Sequence, residues 1–182
     1  AEIQAERELS TMALEAYRYE YADSLSLWES LERKAQGTTA IAGIMLAAGF
    51  AFARQLDANV GALPRLLLIG VVLTLLFSIW QSVRALTIAR VEPRPSADAI
   101  SQQVIDALQS PDRNALPDLV NGVRHEQLEH WRSSNAVLAA ACGKKAGLVQ
   151  KSQSAILISA LLIGIVTGSQ VIFAKAEVAQ GV

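Results

Sequence analysis

Charge is scarce in this chain: Asp, Glu, Lys and Arg make up 18% of its 182 residues, against about 25% in ordinary soluble domains. The shortage is not evenly spread. Residues 35–53, 66–83 and 152–174 contain no charged side chain at all, in runs of 19, 18 and 23 residues. The single cysteine, Cys142, excludes an internal disulfide, and its place after Ala139, Ala140 and Ala141 suits a small buried hydrophobe. Proline is missing from residues 1–63 and again from 118–182, so nothing in either stretch forces a helix to stop. A formal net charge of −1 gives no general attraction to nucleic acid. Residues 1–30 show no short basic start followed by an apolar run, so no cleavable signal peptide is expected there.

Catalytic patterns are also missing. His125 and His130 are five residues apart and leave a helix on different faces, whereas a zinc-protease helix needs histidines four apart. The inverted H-x-x-E-H order fails as well, because His125 and Glu129 are separated by three residues. A solvated polar face, with Trp131 turned inward, accounts for these residues. Gly143-Lys-Lys-Ala-Gly147 lacks the spacing of a phosphate loop, and no nucleophile has a base and acid at a recognised spacing. No ionisable group lies within the uncharged runs, which argues against an ion-coupled pump. A non-enzymatic role with no metal or cofactor is expected.

What is present is a membrane pattern. About 20 apolar residues are needed for a helix to cross about 30 Å of hydrocarbon, and three runs meet that need: 37–53, 66–83 and 155–174. The first is rich in Gly and Ala, with Gly43 and Ala47 as a small-xxx-small pair, and the third contains Gly164-Ile-Val-Thr-Gly168. Small residues let helices approach closely in lipid, so these four are candidate helix-packing positions. The second run is Leu-rich, begins after Pro64 and carries Trp80 near its far end, where an aromatic ring suits the headgroup zone. Thr74, Ser78, Gln81, Ser159, Thr167, Ser169 and Gln170 lie in the second and third runs. They are suited to bonding a neighbouring helix or backbone, or to lining a wet pore.

Lys and Arg orient the chain. Residues 1–34 hold four, residues 84–151 hold nine, and the link 54–65 with the tail 175–182 holds three. The positive-inside rule places 1–36 and 84–154 in the cytoplasm and 54–65 and 175–182 on the far side. Arg84, Arg90 and Arg94 cluster just inside the membrane. They are candidates for lipid headgroups or, alternatively, for a nucleotide phosphate.

The cytoplasmic stretches read as helix. Leu14, Tyr17, Tyr21, Ser24, Trp28, Leu31 and Ala35 recur at spacings of three and four, as do Leu128, Trp131, Asn135, Leu138, Cys142, Lys145 and Val149. Each is a heptad seam, the second weakened by Asn135 and Lys145. Val91-Glu-Pro-Arg-Pro-Ser96 should make a turn. A helix to about Ser110, with Ile100, Val104, Ile105 and Leu108 on its apolar face, should follow; 110–114 is a break, and a helix should restart at Leu116. Both seams run toward the membrane. The expected fold is therefore all-α: three transmembrane helices with a helical cytoplasmic bundle continuous with them, the seams packing in parallel within one chain or across subunits.

The segment Trp28-Glu-Ser-Leu-Glu-Arg-Lys-Ala-Gln-Gly37 runs directly into Ile41-Ala-Gly-Ile-Met-Leu46. A tight two-span hairpin then leaves through Arg90-Val-Glu-Pro-Arg-Pro95, and a helical insert precedes the last span. In this layout the chain resembles the small membrane effectors of bacterial anti-phage defence, the Pycsar transmembrane effectors and SLATT-type proteins, with a third span in place of the two-span SLATT plan. The resemblance implies a homo-oligomer in the bacterial inner membrane that answers a nucleotide second messenger and disrupts the membrane. A membrane anchor that recruits a cytoplasmic protein partner is the alternative.

Overall fold

A computed structural model describes residues 2–55, 62–88, 101–102, 105–106 and 116–180, with side chains over 8–54, 62–88, 101–102, 105–106 and 120–169. Three long helices dominate: α1 (Glu2–Gln55), α2 (Ala62–Thr87) and α3 (Leu116–Gln180). Among the described residues every regular element is helical. The proline-free stretches explain the lengths of α1 and α3, because no residue in their interiors removes a backbone donor or clashes with the preceding turn. α3 begins at Leu116, immediately before Pro117, and proline is well tolerated in a first turn. All three helices contain a stretch long and apolar enough to cross a membrane. The expected turn at 91–96, the break at 110–114 and the side chains of Arg90 and Arg94 lie outside the described residues. Of the apolar face expected between them, Ile105 is described, and it is exposed.

The chain divides into two compact units, one built from Ala1–Glu29 and Arg90–Gly143, the other from Ser30–Ala89 and Lys144–Val182. In the first, α1 and α3 run parallel. Arg124 donates to Ser10 Oγ at 3.1 Å, Asn135 Nδ2 to the Tyr17 carbonyl at 3.0 Å and to Glu20 at 3.1 Å, and Cys142 Sγ to the Ser24 carbonyl at 3.5 Å. Contacts that advance together along both helices require a parallel pair. The two heptad seams are the surfaces in contact. Tyr21, Trp28, Leu138 and Cys142 are buried, while Tyr17, Leu128 and Trp131 are half-buried. The rings of Tyr21 and Trp131 meet edge to face, 5.5 Å between centroids and 79° between planes, the geometry that aromatic quadrupoles favour. Asn135, which looked like a flaw in the seam, is buried and bonded across it. His125, Glu129 and His130 are exposed, and His125 faces Glu129 at 3.7 Å along the same helix.

The second unit is a three-helix bundle in which α2 runs antiparallel to α1 and α3. Ser82 meets Ser152, Thr74 meets Ser159, and Gly70 faces Leu162, so position falls on α2 as it rises on α3. Ala42, Val71 and Leu75 form the buried centre, with Met45, Leu46, Ile79, Ile156, Leu162 and Ile163 packed around it. Leu31 and Ala35, at the end of the first seam, are also buried in this unit. Outward side chains are apolar: Ile44, Phe50, Leu66, Leu73, Leu76, Leu157 and Leu161 are exposed.

Trp28, 2% exposed, gives the first unit its largest apolar burial. Trp28→Ala should cost about 3–5 kcal/mol, whereas Tyr19→Ala, at an exposed position, should stay within about 0.5 kcal/mol. Thermal unfolding of the detergent-solubilised chain, followed by circular dichroism, separates the two.

Candidate functional site

In water a bundle hides apolar groups and shows polar ones. The three-helix unit keeps an apolar centre but shows apolar groups outward along much of its length. Its interior carries a ladder of hydroxyls between α2 and α3. Ser78 Oγ donates to the Ser152 carbonyl at 2.9 Å, and Ser152 Oγ returns a bond to the Ser78 carbonyl at 2.8 Å. The Ser78 and Ser152 hydroxyls also lie 2.8 Å apart, and Ser82 Oγ lies 2.6 Å from Ser152 Oγ, contacts in which either oxygen can donate. One step further along, Thr74 and Ser159 hydroxyls lie 2.6 Å apart. Whichever donates, the other has a carbonyl on its own helix: Gly70 for Thr74, Ala155 for Ser159, each at 2.9 Å. Ser78, Ser82, Ser152 and Ser159 are fully buried. Reciprocal bonds to backbone carbonyls require the two helices to lie close, which short serine side chains permit. Thr167 and Ser169, the other hydroxyls of the third span, bond carbonyls three or four residues back on α3, the usual local solution for a hydroxyl in a helix.

At one end of this unit sits an ion pair. Lys145 is fully buried, and its Nζ is 2.8 Å from Glu32 Oε1, the glutamate side chain being 39% exposed. A buried ammonium is tolerated only with a partner, and here the partner is a carboxylate that keeps some solvent. Arg33, Lys34, Arg84, Lys144 and Lys151 are exposed around the same end, whereas Arg54 and Arg65 mark the other. The Arg84 guanidinium lies 5.0 Å from the Trp80 ring centre, a cation–π contact. The ring of Phe77 lies 6.1 Å from that of Trp80. Gln81 is also buried at this end, and its Oε1 has no hydrogen-bond partner among the described residues; Asn135 Oδ1 in the other unit shares that condition.

The candidate packing residues occupy a different surface. Gly43, Ala47, Gly164 and Gly168 are all exposed, and a Cβ added at any of the three glycines meets nothing within 4 Å. No helix among the described residues covers them. The glycine at a helix contact is Gly70, where an added Cβ lies 3.8 Å from Leu162 Cδ1. Gly70, Thr74, Ser78 and Ser82 recur every four residues, a stripe of small residues that was open to view in the sequence but masked by the bulk of the leucines around it. Among the described residues no three His, Cys, Asp or Glu side chains converge as a metal site requires.

An all-helical chain with three helices able to cross a membrane, apolar outside and hydroxyl-bonded within, defines the class: an integral membrane protein. No protein-family model, curated protein or solved structure matches the chain, so its particular role has to be argued from these contacts.

Two predictions follow from the buried polar groups. A double-mutant cycle on Ser78→Ala and Ser152→Ala, read from unfolding in detergent, should give a favourable coupling of about 0.6 kcal/mol, the average for hydrogen bonds within membranes, and no more than about 1.7 kcal/mol. Glu32→Leu should cost about 3 kcal/mol or more, because it strips the carboxylate from a fully buried ammonium. Lys145→Met should cost less, since the carboxylate it leaves behind is partly solvated.

Proposed function

We propose that the chain is an oligomeric inner-membrane effector that permeabilises the membrane when a cytoplasmic trigger acts, in bacterial anti-phage defence. One observation carries the proposal: the small residues of the first and third spans face outward. Lipid tails gain nothing special from glycine, whereas a neighbouring helix gains close backbone approach. Gly43 with Ala47, and Gly164 with Gly168, are therefore surfaces for further copies of the chain. The internal hydroxyls are already engaged within each protomer, so a pore, where one forms, is lined by surfaces brought together between protomers. The basic end of the three-helix unit supports placing the N-terminus and the 84–154 segment in the cytoplasm and the C-terminus outside. The trigger acts on the cytoplasmic helices. A nucleotide second messenger is the form the family resemblance implies, with Arg84, Arg90 and Arg94 as the cations that would meet its phosphates or the lipid headgroups.

A second reading, a non-catalytic anchor that recruits a cytoplasmic protein, draws on the first unit. Leu9, Met12 and Tyr19 are exposed there, at spacings of three and seven that set them on one helix face. An exposed apolar face of this kind suits a partner helix.

Induced expression with a potential-sensitive dye tests the effector. Membrane potential should collapse in triggered cells, and Gly43→Ile or Gly164→Ile should reduce the collapse at least ten-fold while leaving the protein membrane-inserted. An undisturbed potential in wild-type cells, together with a stoichiometric soluble protein recovered in detergent, would favour the anchor instead.

A further inference from the structure

On the surface of the three-helix unit, α2 and α3 border an open groove of about 500 Å³, within the range of small-molecule sites. Its two ends differ chemically. Along α3 it is lined by Gly147, Gln150 and Lys151 at one end and Ile158 at the other, with Phe77 and Thr74 lining it from α2. From Gly147 to Ile158 the α3 backbone rises about 16 Å, roughly half the thickness of a hydrocarbon core.

We infer that this groove holds one anionic phospholipid, its phosphate on Lys151 and one acyl chain laid along Phe77 and Ile158. Depth supports this occupant. Lys151 is the last charge before the uncharged run 152–174, so its ammonium stands where headgroup phosphates lie, and the apolar end points toward the hydrocarbon. Charge supports it too. Phe77, Trp80 and Arg84 are spaced i, i+3, i+7 on one face of α2, and the guanidinium over Trp80 extends the cationic edge beyond Phe77. The carboxylate described at this end, Glu32, is turned onto Lys145, which leaves Lys151 and Arg84 to attract an anion. Shape agrees: an added Cβ at Gly147 meets nothing within 4 Å, so the headgroup end of the groove is open. A soluble ligand would leave the apolar half wetted, and a zwitterionic lipid would bring its own ammonium beside the Lys151 and Arg84 cations, which repel it.

The inference rests on the membrane-spanning character of the unit and not on permeabilisation. A chain that retains the lipid yet leaves the potential intact keeps the groove and removes the effector. Native mass spectrometry of the full chain in detergent, with equimolar dioleoyl-phosphatidylglycerol and dioleoyl-phosphatidylcholine, is the test. One phosphatidylglycerol per chain should be retained about five-fold over phosphatidylcholine, the preference expected of a single interfacial lysine. Lys151→Gln should bring the ratio to near one with an unchanged thermal midpoint, and Gly147→Phe should expel both lipids by filling the open end. Equal retention of the two lipids by the wild-type chain, or a preference that survives Lys151→Gln, would overturn the inference. Displacement of phosphatidylglycerol by millimolar inorganic phosphate would overturn it too, by showing an anion site indifferent to the acyl chain.

Discussion

Hydrocarbon offers no partner to a hydroxyl or a carbonyl, so a polar atom inside a membrane must be bonded by the protein itself. The exchange between Ser78 and Ser152, each hydroxyl on the other's carbonyl, meets that constraint and sets the geometry around it. It holds α2 and α3 at close approach. Ser82 and the Thr74–Ser159 pair then fall into register on either side. Bulky side chains that would separate the helices are pushed to the outside, where Leu73, Leu76, Leu157 and Leu161 meet lipid without penalty. The hydroxyls contribute modest energy individually. Their larger effect is on which faces are left over, and those include the Gly43–Ala47 and Gly164–Gly168 surfaces.

Much of this was legible in the pattern of residues. Three uncharged runs mark the three helices able to span a membrane, and the absence of proline marks where α1 and α3 run on. The two heptad seams, Leu14 to Ala35 and Leu128 to Val149, are the faces on which the described side chains pack. The alternation of three and four in fact continues past both endpoints: Thr38, Ala42, Met45, Gly49 and Phe52 on α1, and Ser152, Ile156, Ser159, Ile163 and Val166 on α3, are all buried or half-buried. That continuation was hidden because within a span every residue is apolar or small. Contrast between faces is what makes a seam visible in water-exposed helix, and lipid removes the contrast. Polarity is then the better marker of the inside of a span, since Ser and Thr seek partners there.

Glycine misleads for a related reason. Gly43, Gly164 and Gly168 stand in the recognised small-xxx-small spacing, yet the helix contact within the chain falls at Gly70 and the serines that follow it at intervals of four. Spacing identifies a surface that allows close approach. It does not say whether the chain uses that surface on itself. That distinction required the positions of α2 and α3 to be known, because the serine stripe on α2 becomes meaningful only beside Ser152 and Ser159.

Asn135 and Lys145 show the same logic in the opposite direction. Both break the apolar rhythm of the α3 seam, and a sequence argument counts them as faults. A polar residue at a seam position costs stability unless bonded, and when bonded it fixes register, because sliding either helix by one turn strands it. Asn135 bonds the Tyr17 carbonyl and Glu20, and Lys145 bonds Glu32. In both cases the partner lies on α1. A parallel pair with purely apolar seams has several registers of similar energy, differing by whole heptads. These two residues single out one, and in doing so fix α1 against α3 within each unit separately.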